Sequence, residues 1–300
     1  MFSESKESWV VAVTQALRKS SRWYSSEVCH LLLVNNALRT EGVVLGRSDT
    51  AAWMIYPSTS VVYEGAEGWR KVMLIPFGTP QQEYAEVLKW VGEKQTSVMN
   101  ITQGVAEALL SRKVATRSCA FFDDYVVDAS FSGGWAGGKW KEVRRSMRAT
   151  TAKPVSLGWS DVAAVDAIWV ANKTAENFQL AFQHHDGQGK SQIEWLAENQ
   201  ALLSELGIRS EIVGWEKDGQ IASVQVFSEI GSGMFYAFTH RSDHRLVETH
   251  MCYEEMERGF LAMPGVSKMN DGNAVAGTSL AARKARYSCG KFITRTLWRV

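Results

Sequence analysis

Three hundred residues allow one large domain or two of ordinary size, at roughly 100–200 residues each. A hydrophobic fraction of 45%, a charged fraction of 22% and a net charge of +1 exclude a disordered chain and a field spread over the whole surface, so any contact with a polyanion has to be local. The four cysteines, Cys29, Cys119, Cys252 and Cys289, form no CxxC pair, which excludes a zinc ribbon and a disulfide scaffold and fits reduced thiols. The opening Met1–Ser8 lacks the basic-then-apolar pattern of a signal peptide, and no window reaches the ~18 uninterrupted apolar residues needed to span a bilayer. The expectation is a cytoplasmic protein without a transmembrane segment.

Along the chain, Ser8 to Arg18 places Trp9, Val10, Val13 and Leu17 at helical spacing. The runs Cys29–Val34, Ala52–Tyr56 and Lys71–Pro76 are short, apolar and bounded by Asn, Gly or Pro, which reads as three strands. Thr79 to Gly92 and Gln103 to Leu110 read as helices, and Ala120 to Asp128 as a further strand. Gly133 to Gly138 is too glycine-rich for a regular element and forms a turn, after which Lys139 to Ala149 restarts as a helix. Pro154–Gly158 reads as a junction, dividing the chain into 1–153 and 154–300. Ser160–Lys173 and Lys190–Leu206 are helical, the second stopping at Gly207. Ser210–Trp215, Gln220–Phe227 and Met234–Thr239, separated by Lys217-Asp-Gly219 and Gly231-Ser-Gly233, form an antiparallel meander. A helix over Glu248–Phe260 and a strand over Val266–Asn270 follow, then a helix carrying Lys284 and Tyr287. The fold class is α+β, with mixed, largely antiparallel sheets flanked by helices.

Several groups could carry chemistry. The helix Lys139–Arg148 holds five basic residues and one acidic, so Arg144, Arg145 and Arg148 can meet phosphates of tRNA or another nucleic acid while Trp140, Val143 and Met147 pack inward. Between the meander and the next helix, Arg241, His244 and Arg245 can hold a phosphate by side-chain charge. His240, His244 and His250 lack an acidic partner at matching spacing, so no metal is expected. Lys284 and Tyr287, three apart on one helix, share a face. Asp271, just after a strand, can accept a proton or serve as an ordinary turn residue. No Ser-His-Asp or Cys-His arrangement stands at a recognisable elbow.

Two segments carry a resemblance. Asp124-Tyr-Val-Val-Asp128, leading through Gly133-Gly-Trp-Ala-Gly-Gly-Lys139 into Trp140–Arg145, resembles the strand, glycine turn and basic helix that open the transferase half in the phosphatidylglycerol lysyltransferase C-terminal-domain superfamily. Met269-Asn-Asp-Gly272 through Leu280–Tyr287 is similar to that family's last motif. The likeness extends roughly from residue 55 onward and is sharp in these two segments. It implies two tandem GNAT-like (N-acetyltransferase-type) domains, 1–153 with the basic connecting helix and 154–300 with the catalytic cleft between splayed meander strands. It also implies transfer of an aminoacyl or acyl group to an amine or hydroxyl by direct attack, without a covalent enzyme intermediate.

In that family the lysine matching Lys284 sits in the transfer pocket, where it offsets charge on the carbonyl or ribose oxygen. Tyr287 would then act as general acid and Asp271 would orient Lys284 or take a proton, while Arg144, Arg145, Arg241, His244 and Arg245 would bind the donor. The donor is aminoacyl-tRNA or acyl-CoA, with no tightly bound cofactor. The slot His240–Glu248 has no glycine for the usual CoA pyrophosphate turn, which favours aminoacyl-tRNA. The acceptor is left open. Acyl-CoA-dependent modification of a nucleic-acid base is an alternative, and so is a nucleic-acid-binding module without chemistry. A Lys284 enclosed by protein would favour catalysis, and one in bulk solvent would favour binding.

Overall fold

The computed structural model describes residues 5–20, 22, 24–56, 69–133, 136–171, 192–243, 246, 249–272, 274 and 278–299. The chain forms two compact units, one made of Met1–Val126, Ile230–Ser232 and Gly272–Val300, the other of Val127–Glu229 and Gly233–Asp271. Among the described residues no helix is long and apolar enough to cross a membrane.

In the first unit, helices α1 (Lys6–Lys19) and α2 (His30–Arg39) precede strands β1 (Val44–Arg47), β2 (Ala51–Tyr56) and β3 (Arg70–Pro76). Helix α3 (Pro80–Val91), β4 (Thr96–Thr102), α4 (Gln103–Ser111) and β5 (Arg117–Asp128) follow, and the last stretch of chain returns here as a helix and strand β11 (Gly290–Trp298). The strand order is β1-β2-β3-β4-β11-β5. The β3–β4 pair is parallel and the pairs β1–β2, β2–β3, β4–β11 and β11–β5 are antiparallel.

One core cluster joins α3 and α4 to the sheet through Leu74, Val87, Val91, Val98, Ile101, Val105, Leu109 and Leu297. Helix α1 buries Trp9, whose indole donates to the Gly46 carbonyl at 2.9 Å and pins the helix onto β1. A Cβ at Gly46 would come within 2.5 Å of the Trp53 ring, so glycine is the residue that lets Trp53 cross β1. Thr79 caps α3 in a reciprocal box with Gln82, and Pro80 occupies the first turn, where its missing N–H costs nothing.

The run Cys29–Val34, expected as a strand, is instead the start of α2. Its buried residues His30, Leu31, Leu33, Val34 and Ala37 recur at helical intervals past the end of the apolar run, and length decides between the two readings. Strands β4 and β11 carry no clear sequence signal, and both fill the middle of the sheet.

The second unit contains α5 (Lys141–Ala149), β6 (Lys153–Ser156), α6 (Trp159–Ala171), α7 (Gln192–Glu198), α8 (Gln200–Glu205), the meander β7 (Ser210–Lys217), β8 (Gln220–Gly231) and β9 (Met234–Ser242), helix α9 (Thr249–Leu261) and β10 (Lys268–Asn270). The order is β10-β9-β8-β7-β6. The expected junction at Pro154 is a strand, antiparallel to β7 on the sheet edge, where a proline without an N–H is tolerated. The expected helix over 190–206 is interrupted at Asn199 between α7 and α8. The β7–β8 turn has Asp218 and Gly219 at φ +53° and +77°, the two positive values that a tight hairpin of matching twist demands.

Candidate functional site

In the second unit, β10 pairs with β9 in parallel over Lys268↔Met234, Met269↔Phe235 and Asn270↔Tyr236. Strand β10 stops there, while β9 continues to Ser242. The separation thus opens between the last meander strand and β10, beyond Tyr236. Asn270 and Asp271 at the end of β10 are buried. Past the split, Thr239 on β9 is buried, and among the described residues its hydroxyl has no hydrogen-bond partner. Gln225 of β8 and Glu257 of α9 are fully buried and joined by a long Nε2–Oε1 contact of 3.5 Å. Such polar groups are costly in an apolar core, and they mark this part of the unit as more than packing.

Arg241 lies on β9. Its Nε donates to Asp166 Oδ1 of α6 at 2.5 Å and its Nη1 to the His240 carbonyl at 3.0 Å, so the guanidinium is held by a buried carboxylate. His244 and Arg245 lie outside the described residues. His240 Nε2 lies 3.0 Å from Ser223 Oγ, and the described residues contain no group of three metal-type side chains.

Helix α5 behaves as its pattern predicts. Trp140, just before it, and Val143 are buried, and Met147 packs against Ala152, Trp215, Ala222 and Met256. On the other side Lys141, Arg145 and Arg148 are exposed, while Arg144 donates to the Gly137 carbonyl at 2.7 Å and ties the helix to the glycine turn. A cleft of about 430 Å³ between β6, β7 and α9, lined by Val155, Gly214, Trp215, Met256 and Phe260, lies at the edge of this sheet away from β10 and holds none of the expected site residues.

Lys284 and Tyr287 belong to the first unit, on α10 (Ser279–Tyr287), whose N-terminus is capped by Thr278 accepting from Ala281 N at 3.2 Å. With Ala281 they form its buried face, Lys284 retaining 5% of its surface and Tyr287 7%. A lysine is rarely so enclosed without a partner for its charge. The segment carrying this helix is stitched to β5 at both ends, by Tyr125 N to Gly272 O (2.9 Å) and Cys289 N to Val126 O (2.8 Å).

A further polar cluster in the first unit escaped the sequence reading. Asp124 of β5 is fully buried and accepts from Ser26 N at 2.7 Å and Ser26 Oγ at 3.1 Å. Burial, with the Asp124 charge second, pushes the neighbouring Glu27 carboxyl up to about 7. Burial, and then Glu27, likewise raises the Tyr56 hydroxyl, whose oxygen accepts from Asn36 Nδ2 at 3.3 Å. His30 is lowered to about 3 by burial first and Arg18 second. Asp124 lies within a motif the sequence singled out. Nothing in the sequence signals that Glu27, some hundred residues earlier, meets it.

No protein-family model matches the sequence, and no curated protein matches it at significant similarity. Solved structures do match. A conserved Bacteroides thetaiotaomicron protein of unknown function superposes with a TM-score of 0.69 at 12% identity, over 95% of this chain and 94% of that one. L-PGS from Bacillus licheniformis gives 0.62 at 12% identity, over 100% and 94%. The C-terminal domain of an Agrobacterium fabrum protein described as a lysylphosphatidylglycerol synthetase gives 0.56 at 15%, over 98% and 92%. At such identities the likeness is one of fold, and the fold is the one the two sequence motifs pointed to: the α+β, tandem GNAT-like architecture of the lysylphosphatidylglycerol synthetase C-terminal domain.

Proposed function

We propose that this chain is an acyltransferase that moves an aminoacyl or acyl group from an activated ester or thioester to an amine or hydroxyl by direct attack. The observation that carries the reading is the burial of Lys284 and Tyr287 together on one face of α10. A lysine serving only solubility, or an open basic stripe on a binding module, would face bulk solvent. The fold shared with L-PGS and with the synthetase domain supports the same reaction class.

In this reading Lys284 offsets the negative charge that develops on the carbonyl oxygen, an interaction strongest in the transition state and strengthened by exclusion of water. Tyr287 protonates the leaving oxygen or sulfur and recovers its proton from the attacking group, so the transfer is balanced in protons. The donor is assigned as aminoacyl-tRNA. The glycine-free slot after β9 supports that choice, and so does the exposed basic side of α5, where Arg145 joins Lys141 and Arg148 while Arg144 braces the turn. Arg241, held in place by Asp166, would contribute its positive charge to donor binding, with His244 and Arg245 following in the chain.

Native mass spectrometry of the protein isolated from its own host tests the donor. Co-purified tRNA is expected, and bound CoA would overturn the assignment. With labelled donor and a panel of amines and alcohols, Lys284→Met is expected to lower kcat about 100-fold at little change in KM. Equal rates for K284M and the parent would remove Lys284 from the chemistry.

A further inference from the structure

We propose that the free edge of β6, together with the cleft beside it, docks an extended peptide segment of another protein, which adds to the sheet as a further strand. The site lies apart from the proposed transfer chemistry, and its test needs no acyl donor.

Strand β6 ends the sheet order and, among the described residues, pairs only with β7, so one side of its backbone is left without a strand. Proline fixes which groups face outward. Pro154 has no N–H to give β7, so Lys153 and Val155 bond to β7 while the Pro154 carbonyl and the Ser156 N–H and carbonyl point away from it. The register fixes the faces as well. Pro154 stands opposite Trp215 and Ser156 opposite Val213, so these four share the face that looks toward α9, and Lys153 and Val155 lie on the other. Pro154 and Ser156 are both exposed.

Between that face and α9 runs the cleft of about 430 Å³, with Val213, Trp215, Met256, Phe260 and Met263 as its apolar lining. The charges around it are already countered. Arg258 donates through Nε to Glu255 Oε2 at 2.8 Å and through Nη2 to Oε1, and Lys153 stands across from the exposed Glu216. An uncharged occupant suits such a rim. Gly259 supplies an independent observation. It lies inside α9, where glycine is the least favourable residue after proline. A Cβ there would meet nothing within 4 Å, so no neighbour requires the glycine, whereas a Cβ at Gly214 would run into Leu157. The missing side chain leaves room in the cleft wall for something from outside the fold.

An added strand uses both features at once. Paired antiparallel, its residues opposite Pro154 and Ser156 bond to the free edge and drop their side chains into the cleft, so the recognised pattern is apolar, any residue, apolar. A second copy pairing through β6 would bring only Pro154 and Ser156, side chains too small to fill the space. A small apolar molecule would leave the edge groups unmatched.

The test is isothermal titration of the full chain with the blocked peptide acetyl-Thr-Phe-Thr-Phe-Thr-amide, expected to bind one per chain. Gly259→Leu, whose side chain enters the open space, is expected to weaken binding about tenfold or more while the Tm holds or rises. Ser156→Pro, which removes the outward donor, and N-methylation of both Phe amides in the peptide are each expected to weaken it severalfold. The N-methylated peptide needs no variant and so covers the case in which either substitution disturbs the fold. No binding, equal affinity for the N-methylated peptide or for phenylalanine amide alone, or full affinity in G259L would overturn the proposal. So would a dimer of the parent chain, seen by sedimentation velocity, that Ser156→Pro dissociates. Each of these outcomes leaves the acyltransferase reading untouched, because no residue of the cleft serves it.

Discussion

Glu27 and His30 lie three residues apart and pull the pH dependence of stability in opposite directions. The Glu27 carboxyl, raised to about 7, keeps in the folded state a proton that the unfolded chain gives up above about 4.5, so stability declines as pH rises through that window. His30, lowered to about 3, refuses a proton that the unfolded chain accepts below about 6.5, so stability declines as pH falls from there. The two slopes cancel between about 4.5 and 6.5, which predicts a plateau with losses on either side. E27Q should match the parent in acid and gain up to about 3 kcal/mol above pH 7, read as the pH series of urea midpoints. A constant offset between the two proteins at all pH values would show that Glu27 does not titrate as described. Lys284 and Tyr287 were legible because their segment resembles the superfamily's last motif, and three-residue spacing on a helix puts them on one face. The sequence could not name Glu27, whose raised carboxyl comes from burial first and from Asp124, distant in sequence, second.

At the level of elements, α3 shows how one side chain joins separate pieces. Glu83 is fully buried, accepts from Thr102 N at 2.8 Å and Oγ1 at 3.0 Å, and pairs with Arg22. Removing it leaves Arg22 and the Thr102 amide without that partner, so Glu83→Ala should cost about 3 kcal/mol by urea unfolding. Thr79→Ala, which loses only the cap, should cost about 1 kcal/mol. A smaller loss for E83A than for T79A would contradict the buried network. Both ends of α3 were legible, since Thr-Pro at its start and Gly92 at its end are strong local signals. The meander was legible for the same reason, through Asp218-Gly219. Strand β4 was not, because Thr96, Ser97 and Asn100 are polar yet buried. Asn100 even adopts φ +64°, its amide donating to the Leu74 carbonyl and its oxygen accepting from Ser25, both at 2.7 Å. A central strand held by such bonds has none of the apolar alternation by which strands are read.

For the molecule as a whole, a net charge of +1 means that any polyanion, the proposed tRNA donor included, would have to be gripped locally. If Lys141, Arg145 and Arg148 supply the contacts, the slope of log affinity against log salt should lie near about −2 to −3, and Arg145→Glu should make it shallower. A slope near zero would remove α5 from the interface. The largest feature invisible in the sequence is the return of the last residues to the first unit, since pairing between distant strands leaves no local mark. Strand β11 is bonded on one side to β4 and on the other to β5, so a chain ending at Cys289 should lose the cooperative unfolding of that unit, seen as rapid proteolysis of residues 70–126.

That inserted strand also sets the timetable of biogenesis. While the ribosome is still translating, β4 and β5 have been made but must wait through more than 160 further codons before the piece that belongs between them emerges. At about 5–20 residues per second this leaves the unfinished sheet with two open hydrogen-bonding edges for roughly ten seconds or more, the interval in which a chaperone would be needed and in which early termination is most damaging.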